Sequence, residues 1–103
     1  MKRYKILLSS AAKDDLKDVL AYTLDTWGTK QENTYKKLLF KQISSLETAP
    51  KRNRLRKELG LNTRIIPTGK HYVIYEVQST TVTVTRVIHA SRNMQNVLDA
   101  PTS

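Results

Sequence analysis

The chain has 103 residues, contains no cysteine and carries 18 Lys and Arg against 9 Asp and Glu, which gives a formal net charge of +9. This length corresponds to one domain with one modest core, and the lack of cysteine excludes disulfides and thiolate metal sites. The positive charge favours polyanionic partners such as nucleic acid, the ribosome or an acidic protein, although lysine-rich helix faces would give the same balance. The apolar runs are too short for a secretory signal or a membrane helix, so we expect a cytoplasmic protein without a membrane partner.

The first predicted elements are a short strand and a long amphipathic helix. Apolar side chains alternate along residues 4–8, which predicts the strand. Ser9 and Ser10 can cap the helix that follows, which is predicted over about residues 10–27 and ended by Gly28. Its buried face is predicted from helical spacing to consist of Ala12, Leu16, Val19, Leu20, Thr23, Leu24 and Trp27.

A second helix is predicted over about residues 29–48. Thr29 and Glu32 have the spacing of a capping box at its start, and Pro50 disfavours helical conformation in the residue before it. Trp27 and Tyr35 are expected to pack at the turn between the helices. Two long helices joined by so tight a turn predict an αα-hairpin.

After Gly60 the sequence changes to β signals. Residues 64–67 predict a short strand, and Pro67, which cannot donate a ladder hydrogen bond, indicates either a sheet edge or the end of the strand. Residues 71–77 and 81–89 predict two further strands, each preceded by a turn. Residues 91–98 are predicted to form a short C-terminal helix, and residues 99–103 a frayed tail.

This order predicts a single domain over residues 1–103 with an α+β fold: a strand, a long αα-hairpin, a three-stranded antiparallel meander and a short C-terminal helix. In the last strand, alternation predicts that Val82, Val84 and Ile88 face the helices. The opposite face would carry Thr81, Thr83, Thr85, Val87 and His89. We expect this second face to be free and bordered by basic residues, which suits RNA, an acidic peptide or a large protein.

Arg86 falls on the predicted helix-facing side of the last strand. We interpret it as the partner of a carboxylate on the first helix, either Asp15 or Asp18. Together with Asp14, these carboxylates are explained by the favourable field at a helix start. Two histidines without cysteine or clustered carboxylates predict no metal site, and the scattered glycines form no phosphate loop, so neither a metal nor a cofactor is expected.

Four sets of residues, in chain order, resemble the ParE-type toxins of the RelE/ParE superfamily. They are residues 8–16; Tyr22, Trp27, Gly28, Gln31 and Tyr35; Arg64, Pro67, Gly69 and residues 71–75; and residues 86–89 with Arg92. The resemblance spans about residues 4–98. The sequence departs from the family pattern at Ser10, where many relatives have proline, at Ala90 and Ser91, which replace a glycine and a basic residue, and at Asn93, where aspartate is common.

The resemblance implies a toxin held silent by a cognate antitoxin, which wraps an acidic, partly disordered segment over it. ParE-type members inhibit DNA gyrase and are binding inhibitors that are not known as enzymes. RelE-type relatives instead cut messenger RNA on the ribosome, and this function is the alternative. In that case Arg64 would hold the phosphate, and His89 would be the general acid or base. Glu58 would be a base, and either Arg92 or the cluster of residues 54–57 would grip the RNA.

Partner binding is assigned to a basic set: Arg52, Arg54, Arg56, Lys57, Arg64, His89 and Arg92. The run over residues 51–57 fits a solvated loop equally well. Plain DNA or RNA binding through this set is a third hypothesis, but the sequence contains no helix-turn-helix or other reader motif. An aromatic residue that could stack on a base is missing after His89, which favours the gyrase inhibitor over the ribonuclease.

Overall fold

The computed structural model describes residues 3–60 and 62–91. The elements are β1 (Lys5–Leu8), α1 (Ser10–Trp27), α2 (Thr29–Ser45), β2 (Thr63–Thr68), β3 (His71–Gln78) and β4 (Thr81–His89). The predicted α+β order of strand, helical hairpin and meander is therefore confirmed. The predicted helix over residues 91–98, Arg92 and the tail over residues 99–103 lie outside the described residues, except for Ser91.

The four strands form one sheet in the order β1-β4-β3-β2. The two hairpins of the meander are antiparallel, whereas β1 pairs with β4 in parallel. A parallel pair needs a long crossover connection, and the helical hairpin together with β2 and β3 supplies it. β2 lies at the sheet edge, which is one of the two positions that Pro67 indicated.

The two helices begin in different ways. Ser9 caps α1: its hydroxyl accepts the Ala12 N–H at 3.0 Å and donates to the Thr85 carbonyl at 2.8 Å, which ties the helix start to β4. For α2 the predicted capping box is wrong, because Gly28 is the N-cap and no side chain caps it. Gly28 has φ 92, and its N–H donates the last hydrogen bond of α1 to the Leu24 carbonyl. The same glycine is the N-cap of α2, so Thr29 is already the first residue inside that helix.

The main core lies between the helical hairpin and one face of the sheet. It consists of Ala12, Leu16, Leu39, Ile43, Leu46, Val73, Tyr75, Val77, Val82, Val84 and Val87. The predicted apolar stripe of α1 is correct at Ala12 and Leu16 but wrong at its end, where Leu24 is 41% and Trp27 63% exposed. Helical spacing indicates which side of a helix faces inward, but it does not tell how far along the helix the sheet extends.

Candidate functional site

β4 contains a bulge that reverses its two faces. The pairing passes from Ile74 opposite Arg86 to Tyr75 opposite Val84, so Thr85 is an extra residue on β4. One extra residue shifts the period-two alternation of the strand. Val87 and Ile88, which follow the bulge, therefore point to the sides opposite to the ones predicted.

The face of the sheet away from the helices is apolar and covered beyond this bulge. Ile88 joins Ile65 and Ile74 in a second buried cluster, against which Leu59 and Tyr72 pack. Ile74 is 1% and Ile88 2% exposed. The prediction that Ile88 faces the helices was therefore wrong, and so was the prediction of a free second face for the part of it beyond the bulge.

The bulge also sets the position of Arg86, which pairs with Asp15 of α1. Its Nε and Nη2 donate to the two carboxylate oxygens at 2.7 and 3.2 Å, and the backbone N–H of Val87 donates to the same carboxylate at 3.0 Å. The hydrogen bonds to Asp15 raise the pKa of Arg86. Because β1 ends opposite Val84, Asp15 completes the hydrogen bonding of β4 where the strand has lost its neighbour. The interpretation of Arg86 as a structural ion pair is confirmed, with Asp15 as the partner.

Arg64 lies on β2 opposite Tyr75 and holds the loop that follows α2. Its Nη1 donates to the carbonyl of Asn53 at 2.6 Å and to that of Lys51 at 3.5 Å. Its Nε is buried and has no partner among the described residues. The guanidinium expected to hold a phosphate therefore binds backbone carbonyls of its own chain.

Tyr75 is the second anchor of this loop. Its hydroxyl donates to the carbonyl of Pro50 at 2.6 Å and accepts the side-chain amide of Asn53 at 3.0 Å. Burial raises the pKa of Tyr75, and the hydrogen bond from Asn53 and the charge of Arg64 oppose that rise. Neither Tyr75 nor Asn53 was among the site residues predicted from the sequence. A tyrosine at a core position of a central strand is the signal that could have revealed the network, since a buried hydroxyl needs a partner.

The basic loop, residues 51–58, runs along the edge of β2. Leu55 forms a bridge to Arg64, and the N–H of Arg56 donates to the Thr63 carbonyl at 2.7 Å. Arg56 also pairs with Glu58 at 2.8 Å, and this bond lowers the pKa of Glu58. The cations of the loop that are exposed are Lys51, Arg52, Arg54 and Lys57.

The two histidines and Tyr35 meet at the start of β3. The Tyr35 hydroxyl lies 2.5 Å from His71 Nδ1 and accepts the Lys70 N–H at 3.0 Å. His71 stands opposite His89, with ring centroids 5.2 Å apart. Burial, and secondarily His89, lowers the pKa of His71. Tyr35 was expected to pack at the helix–helix turn with Trp27, which is wrong for both: Tyr35 contacts the β2–β3 turn.

Gly69 makes the approach of Tyr35 possible. It has φ 58, and a Cβ added there would lie 2.6 Å from the Tyr35 ring. Only glycine adopts this backbone conformation readily and leaves that space empty.

The residues assigned to RNA cleavage are not gathered around one point. Arg64 and His89 lie opposite Tyr75 and His71, which are four positions apart on β3 and hence about 13 Å apart along the strand. Glu58 is on the loop and paired with Arg56. Arg92 lies outside the described residues.

A groove of about 420 Å³ runs between α1 and α2. Its apolar floor is formed by Leu8, Leu16, Leu20 and Phe40, and its polar rim by Ser10, Lys13, Asp14, Lys17 and Lys36. Phe40 is 40% exposed. An apolar floor between lysine side chains fits an amphipathic acidic segment better than a small uncharged ligand.

Residues 3–60 and 62–91 contain no group of three or more His, Cys, Asp or Glu side chains that could hold a metal ion. Neither described helix combines the length and the apolar composition needed to cross a membrane.

Comparison with known proteins identifies similar sequences and similar folds. The model of the ParE toxin of the type II toxin–antitoxin system parDE matches residues 6–94. Toxin ParE1 of Caulobacter vibrioides is 33% identical over 93 residues, which cover 90% of this chain and 94% of that protein.

Two solved structures share the fold. The chromosomal ParDE toxin–antitoxin system from P. aeruginosa matches with a TM-score of 0.75 at 11% identity, over 86% of this chain and 98% of that one. The toxin–antitoxin complex RelBE2 from Mycobacterium tuberculosis matches with a TM-score of 0.62 at 24% identity, over 88% and 97%.

Proposed function

This chain belongs to the ParE toxin family of type II toxin–antitoxin systems, and from this membership we propose that it inhibits DNA gyrase, blocks replication and is neutralised in the cytoplasm by a cognate antitoxin. The family membership confirms the resemblance that the sequence motifs carried. In this proposal the protein acts by binding and not by catalysis.

One observation carries the proposal: residues that RNA cleavage would need are bound to other groups of the same chain or lie apart from one another. Cutting RNA at a 2′-hydroxyl requires a base, an acid and a cationic clamp around one phosphate. Here the Arg64 guanidinium binds the Asn53 carbonyl, and Glu58 is paired with Arg56 and has a lowered pKa. His89 lies about 13 Å from Arg64 along the strand direction. This dispersal supports a binding inhibitor over a ribonuclease.

The charge and shape of two surfaces support an acidic antitoxin. The groove between α1 and α2 has an apolar floor and three lysines on its rim, and the basic loop presents Arg52, Arg54 and Lys57 to solvent. An acidic amphipathic segment would cover the groove with its apolar side and meet cations at both surfaces. Arg56 and Arg64, which were assigned to the same set, are engaged within the chain and contribute less.

Brief induction of the isolated chain in bacteria tests the target. We expect DNA synthesis to fall early, with filamentation and an SOS response, while pulse-labelled protein synthesis continues. Because Arg64 holds the loop, its substitution would confuse folding with function, so the informative variants are His89→Ala and Glu58→Gln. Both are expected to stay toxic. If the unaltered chain stopped translation at once, and if either variant folded but lost its toxicity, the result would count against gyrase as the target and favour the ribosome.

A further inference from the structure

The basic loop, residues 51–58, carries more cations than its own carboxylate can neutralise. Residues 51–57 contain five Lys or Arg and no Asp or Glu. Glu58 follows them, and its carboxylate is paired with Arg56. The other four cations are exposed and form no ion pair among the described residues: Lys51, Arg52, Arg54 and Lys57. The loop therefore presents four positive charges without a counter-charge.

Hydrogen bonds hold this loop in place although its charges repel one another. The Tyr75 hydroxyl donates to the Pro50 carbonyl at 2.6 Å. Arg64 Nη1 donates to the Asn53 carbonyl at 2.6 Å, and the Arg56 N–H donates to a carbonyl of β2 at 2.7 Å. These anchors keep the cations close together, where their repulsion lowers the stability of the fold. A feature that costs stability in this way is expected at a binding site.

The composition of the loop distinguishes among anionic partners. Residues 51–57 contain one apolar side chain, Leu55, which is half-buried and forms the bridge to β2. Protein interfaces are built around an apolar or aromatic cluster from which charged residues are depleted, so a peptide fits this loop less well than it fits the groove between α1 and α2. The loop has no aromatic residue on which the bases of a single strand could stack. Charge alone suits duplex DNA, which carries one negative charge per about 1.7 Å of its axis.

We propose that the basic loop binds the phosphate backbone of double-stranded DNA without reading its sequence. β2 is an edge strand of the sheet, and the loop runs along its outer side, where a long partner can reach it. Contacts from Arg and Lys to phosphates position a protein on DNA and carry no sequence information, which agrees with the lack of a reader motif. The acidic antitoxin would meet the same cations, so the toxin would contact DNA only when free of antitoxin; this last step rests on the proposed function.

The salt dependence of binding gives the expected size of the effect. Each phosphate that is neutralised contributes about −0.9 to the slope of log affinity against log salt concentration for B-form DNA. Contacts from Arg52, Arg54 and Lys57 would therefore contribute about −2.7 to this slope. Between about 50 and 200 mM salt, that contribution alone lowers the affinity about fortyfold.

The test titrates the full chain into a short fluorescein-labelled duplex and follows the fluorescence anisotropy at several salt concentrations. We expect equal affinity for two duplexes of unrelated sequence and lower affinity for a single strand of the same length. The triple variant Arg52→Gln, Arg54→Gln, Lys57→Gln leaves every anchor of the loop intact. Its slope should be smaller in magnitude by about 2.7 than the slope of the unaltered chain.

A second triple variant is the matched control for net charge. It carries Lys30→Gln, Lys37→Gln and Lys41→Gln, three exposed positions on α2, and loses the same three charges. Its slope should change by less than about 1. Circular dichroism checks that both triple variants are folded. Equal slopes in the two variants would overturn the proposal, because net charge and not the loop would then account for binding.

Two further results would also overturn it. One is no binding of the duplex at the lowest salt concentration. The other is tighter binding of the single strand or of polyglutamate, which would indicate RNA or an acidic protein as the partner. NMR of the unaltered chain gives an independent measurement: the duplex should shift the backbone amides of residues 51–57 and leave those of residues 30–41 unchanged, and the reverse would contradict the proposal. Gyrase inhibition does not affect the outcome, because only the isolated chain and DNA are present.

Discussion

Replacing Asp15 by alanine tests how β4 is stabilised beyond the end of β1. The substitution removes a bidentate acceptor for Arg86 and an acceptor for the N–H of Val87. Both charged side chains are largely covered, with 28% of the Arg86 and 16% of the Asp15 side chain exposed. The change therefore leaves a guanidinium and a backbone N–H poorly solvated.

The expected loss follows from these contacts. Hydrogen bonds to charged groups contribute about 1.5–3 kcal/mol, and removing one partner of a fully buried pair costs about 3–5 kcal/mol. For this partly covered pair we expect Asp15→Ala to lower the free energy of unfolding by about 2–3 kcal/mol. Asp18→Ala, an exposed carboxylate on the same helix, is the matched control and should change it by less than about 0.5 kcal/mol.

Urea denaturation followed by circular dichroism measures both changes. Tryptophan fluorescence is a poor probe here, because Trp27 is 63% exposed in the folded chain. A double-mutant cycle with Arg86→Met separates the pair from its surroundings and should give a coupling of about 1–2 kcal/mol. Equal losses for Asp15→Ala and Asp18→Ala, or a coupling near zero, would refute the reasoning.

Three further predictions concern the turn, the tyrosines and the partner. Gly69→Ala should lower the free energy of unfolding by about 1–3 kcal/mol. The loss should exceed that of Gly28→Ala, because the new Cβ would meet the Tyr35 side chain at Gly69 and nothing within 4 Å at Gly28; urea denaturation compares the two. Burial raises the pKa of Tyr35 and Tyr75 in the folded chain. The unfolded chain therefore loses these two protons at lower pH than the folded chain does, and the free energy of unfolding should fall as pH rises above about 10. Tyrosinate absorbance in which all five tyrosines of the folded chain titrate together would contradict this. The affinity for the antitoxin should fall as the salt concentration rises, because exposed charge pairs are screened. A calorimetric affinity that does not change with salt concentration would indicate a mainly apolar contact.

The features that the sequence predicted correctly are those set by local periodicity. The helix from Ser10 to Trp27 has a serine cap and a glycine stop, and both signals lie within the segment itself. The edge position of β2 was one of the two positions that the missing N–H of Pro67 indicated. Arg86 could be assigned to a carboxylate on α1 because a cation flanked by apolar strand residues needs a partner.

The features that the sequence could not predict depend on tertiary register. The bulge at Thr85 has no glycine or proline to mark it, yet it moves Val87 into the main core and Ile88 to the other face. The contact between His71 and His89 depends on that shifted register. Arg64 looked like a phosphate clamp because the course of the loop over it, fixed by Tyr75 and the carbonyl of Asn53, is not visible in local patterns.

The measurement that tests the central claim most directly uses purified toxin, DNA gyrase and supercoiled plasmid, with cleavage complexes trapped by detergent and protease. The account predicts that cleaved linear plasmid accumulates with increasing toxin and disappears when the cognate antitoxin is added first. Intact plasmid at every toxin concentration, together with messenger RNA cut on purified ribosomes by the same preparation, would contradict it.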